Sequence, residues 1–165
     1  MSINKLTLKR INADFKKFNE AEKENMYVYP NPENVLEIYF LIIGLPGSPY
    51  ENGHYIGKLV HNPEYPIKAP DYYMLTPSGR FDINKKICLT NSSYHQADWV
   101  AGAWNLVTML EGLSSVFHSD IKEDKVGISH LTNTLEKDII RLRDESIEYN
   151  NKNYLHIYNN FSIKK

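Results

Sequence analysis

Residues 35–61 read VLEIYFLIIGLPGSPYENGHYIGKLVH. Val35 to Ile43 is dense in β-branched and aromatic side chains, the composition that suits a pleated, half-buried strand. Gly44-Leu45-Pro46-Gly47-Ser48-Pro49 then breaks the chain, because each proline fixes φ and lacks an N–H. Glu51-Asn52-Gly53 supplies an Asn-Gly turn signal, and His54 to His61 reads as a second strand. Outward from this pair, Tyr27 to Tyr29 forms a strand ahead of the turn Pro30-Asn31-Pro32-Glu33-Asn34. On the other side Pro63, Pro66 and Pro70 interrupt the chain before a short strand, Tyr72 to Leu75. The expectation is a four-stranded antiparallel meander.

Helices flank it. Over residues 3–20, Leu6, Ile11, Phe15 and Phe18 fall on one face, with Lys5, Lys9, Arg10, Lys16 and Lys17 mostly elsewhere. From Ala103 a second helical stripe runs through Leu106, Leu110, Leu113 and Phe117. A loop through Asp120 to Gly127 leads to a long helix expected over 129–149, on Leu131, Leu135, Ile139, Leu142 and Ile147. A short packed helix is expected within Tyr154 to Phe161. Residues 76–102 show no regular element, a length that in a compact domain signals function or disorder. Phe81, Ile83, Ile87, Leu89 and Trp99 within it favour a packed, functional loop. Helix, meander, long loop and helices together make an α+β fold, expected as one domain over residues 1–165.

Nineteen basic and twenty acidic side chains in 165 residues leave a net charge of -1. That balance gives no bulk attraction to nucleic acid or membrane. A single cysteine excludes an internal disulfide framework and a cysteine-based zinc site, and it suits a reducing compartment. The apolar run Ile38 to Ile43 is far short of the ~20 residues of a membrane-spanning helix. Neither a secretory leader nor a hydrophobic C-terminal tail is read, so a soluble, cytoplasmic protein is expected. His54, His61, His95, His118, His130 and His156 are scattered without zinc-like pairing, and no metal is expected.

The lone thiol, Cys88, lies between Ile87 and Leu89. Taken by itself such a cysteine is either a buried structural thiol, the commoner case, or an exposed nucleophile. The second reading calls on Lys85 and Lys86 to lower its pKa, on Asn84, Asn91 and Ser78 as oxyanion donors, and on His95 as a base. Both readings stand on the residues alone.

Lys9-Arg10-Ile11, the turn Gly44 to Gly53, Tyr65-Pro66-Ile67-Lys68-Ala69-Pro70, Ile87-Cys88-Leu89 and Trp99 follow one another in an informative order. That order and spacing, from Lys9 to about Phe117, resembles the ubiquitin-conjugating enzyme family. Thr76-Pro77-Ser78-Gly79-Arg80-Phe81 stands where most of that family has His-Pro-Asn. It is similar to the "T-P-N-G-R-F" of the J subfamily, which serves ER-associated degradation. Asn84 to Thr90, and Tyr94-His95 through Trp99, Ala103 and Trp104, resemble the same branch. Two departures stand out. Ser78 replaces the subfamily's Asn, and Gly102 with one extra residue replaces a proline. The subfamily's C-terminal membrane anchor is not read here.

The resemblance implies the ubiquitin-conjugating fold and a thioester between Cys88 and ubiquitin, accepted from an activating enzyme that consumes ATP. No cofactor of its own is implied. Ubiquitin then passes to a lysine acceptor, usually with a RING-type ligase. With Ser78 changed, Asn84 or backbone N–H groups near Cys88 are the candidate oxyanion donors. His95 lies where the J subfamily has a histidine, and an imidazole base would extend the acceptors to Ser and Thr hydroxyls. Asp124 or Glu123 is a candidate to orient an incoming lysine. Lys9 and Arg10 resemble the helix that meets the activating enzyme and ligases, Ile67 a ligase-contacting residue, and Gly102 and Ala103 the second contact loop. The competing readings are a non-catalytic ubiquitin-binding relative and conjugation of another ubiquitin-like modifier.

Overall fold

The computed structural model describes residues 3–119 and 129–163. Helix α1 (Lys5–Glu20) starts where the Asn4 side chain accepts the Leu6 N–H at 2.8 Å. Its buried face is Thr7, Ile11, Asp14 and Phe18: Ile11 and Phe18 are inside as expected, but Thr7 and Asp14 take the places expected of Leu6 and Phe15, and Leu6 is 72% exposed. The shift has a polar cause. Thr7 donates to the Pro63 carbonyl at 3.1 Å, and Asp14 accepts from the Tyr65 hydroxyl and from Arg10 Nε at 2.9 Å. Satisfied polar groups can therefore line the face that an apolar count assigns to Leu6.

Strands β1 (Met26–Pro30), β2 (Glu37–Ile43), β3 (His54–Val60) and β4 (Asp71–Met74) form the expected antiparallel meander, in the order β1-β2-β3-β4. The turn between β2 and β3 places Asn52 in the left-handed region, φ 62°. Successive side chains alternate between faces. Ile38, Phe40 and Ile42 of β2 and Tyr55 and Leu59 of β3 meet α2 (Leu106–His118) through Leu106, Leu110, Leu113 and Phe117. On the other face Leu41 and Ile56 meet Ile157, Tyr158 and Phe161 around α4 (Leu155–Tyr158). Gly57 faces Phe40 across the register, and a Cβ there would fall 2.3 Å from the ring. Helix α2 opens on a reciprocal cap: Asn105 Oδ1 accepts the Thr108 N–H, and Thr108 Oγ1 accepts the Asn105 N–H.

The long helix differs from expectation. Helix α3 runs Glu136–Asn153, not 129–149. Ser129 has φ 71°, which no helix accepts, and His130 pairs with Phe81 as an isolated bridge. Leu135, expected inside, caps the helix and is 58% exposed. The buried face of α3 is Ile139, Ser146 and Asn150. Ser146 Oγ accepts the His54 N–H at 2.9 Å, and Asn150 donates to the His54 carbonyl at 2.8 Å. Docking to β3 through side-chain hydrogen bonds leaves a weak apolar period, and the leucines ahead of the helix misplace its start. Residues 76–102, expected to lack regular structure, contain one 3-10 helix, Ser93–Asp98.

Candidate active site

The strip carrying Cys88 is laid along β4. Asn84 N–H bonds the Met74 carbonyl at 2.8 Å and Ile87 N–H the Tyr72 carbonyl at 3.0 Å. Ile87 and Leu89 are buried, so the residue between them in this extended strip turns outward, and Cys88 is partly exposed. The apolar neighbours that made burial the commoner reading are the anchors that present the thiol.

The 3-10 helix brings the second group. Ser93 N–H bonds the Pro70 carbonyl at 3.2 Å, Gln96 Oε1 accepts the Ala69 N–H at 3.1 Å, and Trp99 Nε1 donates to the Pro66 carbonyl at 2.8 Å. This docking sets His95, at a kink with φ -123° and ψ 48°, over Cys88. Sγ lies 3.3 Å from Nε2, while Nδ1 faces Asp98 Oδ2 at 3.5 Å. A thiol, an imidazole and a carboxylate thus stand in line, the arrangement that a nucleophile, its base and a group orienting the base require. Asp98 was missed by sequence reasoning; its signal is an acidic residue three positions after the histidine, one 3-10 turn on.

Each of the two lysines ahead of the thiol has a carboxylate partner. Lys85 pairs with Asp82 at 3.6 Å and Lys86 with Asp71 at 3.4 Å. Asp71 raises the Lys86 pKa, the mark of a cation held by its own carboxylate.

Ser78 and Asn91 are buried and bonded elsewhere. Ser78 is buried, and its Oγ accepts the Arg80 N–H at 3.1 Å, holding the turn at Gly79, φ 81°. Asn84 is an exposed turn residue with φ 60°. Asn91 is buried against α2, its amide 3.5 Å from the Met109 carbonyl. Of the sequence candidates, the fold brings Cys88 and His95 into contact. Asp124 and Glu123 lie outside the described residues.

The partner candidates lie on α1 and on the loops that Trp99 joins. Lys9 is exposed, whereas Arg10 is half-buried, bonding Asp14 and, at 2.6 Å, the Trp104 carbonyl. Ile67 is 70% exposed. Trp99, bonded to Pro66, ties the Ile67 loop to the turn of Gly102 and Ala103, which Ala103 N–H closes on the Val100 carbonyl at 3.1 Å. Val100 adds an exposed apolar side chain to that turn. Gly102 takes φ 86°, which a proline cannot adopt.

Comparison with known proteins gives a consistent result. A sequence model of the family described as "Ubiquitin-conjugating enzyme" matches residues 10–141. The chain is 39% identical over 144 residues to "Ubiquitin-conjugating enzyme E2 J2-like" of Dictyostelium discoideum, covering 87% of this chain and 81% of that protein. It is 39% identical over 145 residues to "Ubiquitin-conjugating enzyme E2 6" of Candida glabrata, covering 88% of this chain but 56% of the relative. It is 37% identical to "Ubiquitin-conjugating enzyme E2 J2" of Bos taurus, over 64% of this chain and 40% of the relative. The chain therefore spans little more than half of the yeast relative and less than half of the bovine one. Among the described residues no helix is long and apolar enough to cross a membrane. The chain belongs to the ubiquitin-conjugating enzyme family.

Proposed function

We propose that Cys88 accepts ubiquitin's C-terminus from an activating enzyme and passes it to lysine and hydroxyl acceptors, with His95 as the base for the hydroxyls. The observation that carries this reading is the partly exposed Cys88 Sγ, 3.3 Å from His95 Nε2. In loading, the Cys88 thiolate attacks the incoming thioester, the new S–C bond forms, and the activating enzyme's thiolate leaves. The exchange is nearly isoenergetic and asks mainly for a thiolate in position. In transfer to a hydroxyl, the acceptor O–H gives its proton to Nε2 as its oxygen bonds the thioester carbon; a neutral lysine amine attacks through its own lone pair and gives its proton to solvent. The tetrahedral intermediate collapses, and Cys88 leaves as the thiolate. A positioned base of this kind contributes roughly 10²–10⁴-fold.

Ubiquitin, an activating enzyme and a ligase are the general partners of this family. For this chain we assign the exposed Ile67 and the Val100–Ala103 turn, with Lys9 of α1, to a RING-type ligase and the activating enzyme. Arg10 supports that surface from within, through Asp14 and Trp104. ATP is consumed by the activating enzyme and no cofactor is assigned to this chain; the reaction belongs to the cytoplasm. The exposed thiol in its strip and the enzyme relatives favour neither a non-catalytic binder nor another modifier.

The test is a non-reducing gel of the protein with ubiquitin, activating enzyme and ATP. A reducer-sensitive adduct that disappears in Cys88→Ala is expected, and its absence would sink the reading. His95→Ala, once loaded, should discharge to free serine at least about 10²-fold more slowly. Serine discharge at the wild-type rate removes His95 from the mechanism.

A further inference from the structure

Ser129 and His130 stand some forty residues beyond Cys88 in sequence, yet they close on the strip that carries it. Ser129 Oγ donates to the Lys86 carbonyl at 2.7 Å, and its own carbonyl accepts the Asp82 N–H at 2.8 Å. Leu131 N–H bonds the Arg80 carbonyl at 2.9 Å, and the His130 ring stands edge-on to Phe81. His130 Nε2 lies 2.9 Å from the Cys88 carbonyl, while Nδ1 lies 3.2 Å from Arg80 NH1. A carbonyl only accepts and a guanidinium only donates. With the buried Arg80 guanidinium at Nδ1, Nε2 is the ring nitrogen that donates to the Cys88 carbonyl.

Three successive peptide groups meet at the thiol, and the outer two are held at both ends. In the Lys86–Ile87 peptide the carbonyl is bonded by Ser129 and the N–H by the Tyr72 carbonyl. In the Cys88–Leu89 peptide the carbonyl is bonded by His130, and the N–H by Ser92 Oγ at 3.1 Å. The peptide between them, Ile87–Cys88, has no protein partner among the described residues at either its carbonyl or its N–H. That N–H belongs to the nucleophile itself, and Ser78, in place of the expected Asn, is already bonded to Arg80.

We propose that Ser129 and His130 clamp the strip so that the Cys88 N–H is aimed at the oxyanion formed when an acceptor attacks the Cys88 thioester, with His130 as a positioning residue. The proposal rests on the reading that Cys88 carries the thioester. When the acceptor adds to the thioester carbon, the carbonyl electron pair moves onto oxygen and receives the Cys88 N–H. Collapse restores the carbonyl and expels the Cys88 thiolate. A preorganised donor stabilises that charge without reorganising, which is where such donors act most strongly. Small misplacements of a reacting group cost up to about 10²-fold.

The experiment loads wild type, His130→Leu and His130→Gln with ubiquitin and follows single-turnover discharge to free lysine over a range of concentrations. Thermal unfolding midpoints are measured alongside. Leucine keeps apolar bulk against Phe81 and removes the donor; glutamine returns an N–H at the reach of Nε2. The expected result for leucine is a maximal discharge rate lower by about ten-fold or more, at unchanged half-saturation. Glutamine should recover most of that loss. A folded, fully loaded leucine variant within about two-fold of wild type would overturn the proposal. A glutamine variant no faster than leucine overturns it equally. Should the leucine variant not fold, Ser129→Ala is read in its place, with a lower maximal rate supporting the clamp and an unchanged one refuting it. Wild type that does not load sinks the Cys88 reading itself, whereas normal loading with unaltered discharge sinks only the clamp.

Discussion

Replacing Asp98 by asparagine tests how strongly the carboxylate holds the His95 ring. Asp98 Oδ2 lies 3.5 Å from His95 Nδ1, and the two side chains are 68% and 43% exposed. At that distance an ion pair is worth about 1 kcal/mol in bulk water and about 5 kcal/mol at an effective dielectric of about 20. Hydration and side-chain entropy remove most of this for exposed pairs, leaving about 0.2–1 kcal/mol. The orienting contribution is therefore about 1.5- to 5-fold in rate. That is far below the ~10⁴-fold that a buried triad carboxylate supplies. Asp98→Asn, preloaded with ubiquitin and discharged to free serine or free lysine, should lower the serine-to-lysine rate ratio by a factor in that range. Near 1 M salt, where the Debye length shrinks to about 3 Å, the difference should fade. A loss of about 10²-fold or more would mean that the site closes and dries around the pair. An unchanged ratio at low salt would mean that Asp98 does not orient the ring.

Two further predictions concern the frame of the site. Asn150 is fully buried, accepting the Thr76 hydroxyl at 2.5 Å and donating to the His54 carbonyl at 2.8 Å. Asn150→Ala leaves both groups short of a partner and should cost about 2–6 kcal/mol in urea unfolding, at about 1–3 kcal/mol for each buried group; a loss under about 0.5 kcal/mol refutes the docking role given to α3. Burial pushes the His61 pKa down to about 4, against a small opposing effect of the Leu36 carbonyl that its ring contacts at 2.9 Å. Between those pKa values the unfolded chain binds the proton and the folded chain does not. Stability is therefore full above pH ~6.5 and declines as pH falls toward ~4, with His61 alone contributing a loss of about 2 kcal/mol between pH 7 and 5. His54 and His118, whose burial also lowers their pKa values, add in the same direction. Urea midpoints at the two pH values check this, and a protein that gains stability on acidification refutes it.

Much of the fold was legible because it rests on local chemistry. Residues 35–61 declare two strands and the turn between them through β-branched runs, prolines and Asn-Gly, and the meander follows. The stripe Leu106, Leu110, Leu113 and Phe117 marks α2 because every member is buried and apolar. Where polar groups were buried with partners, the same reasoning slipped. Thr7 and Asp14 moved the inner face of α1 away from Leu6, and Ser146 and Asn150 hid that of α3. Hydrophobic periodicity cannot register a face that docks through hydrogen bonds.

The site divides along the same line. By itself the sequence determined the candidate thiol, its ordered surrounding motifs and the histidine seven residues on. Only the tertiary structure decided that Cys88 turns outward between two buried anchors, that His95 reaches it, and that Lys85 and Lys86 are occupied by Asp82 and Asp71. Ser129 and His130 could not be placed at the strip from sequence, since they meet it across more than forty residues. Turn chemistry and periodicity are properties of neighbours along the chain. Which lone pair faces which proton is set by packing between distant segments, and the chemistry of Cys88 depends on that.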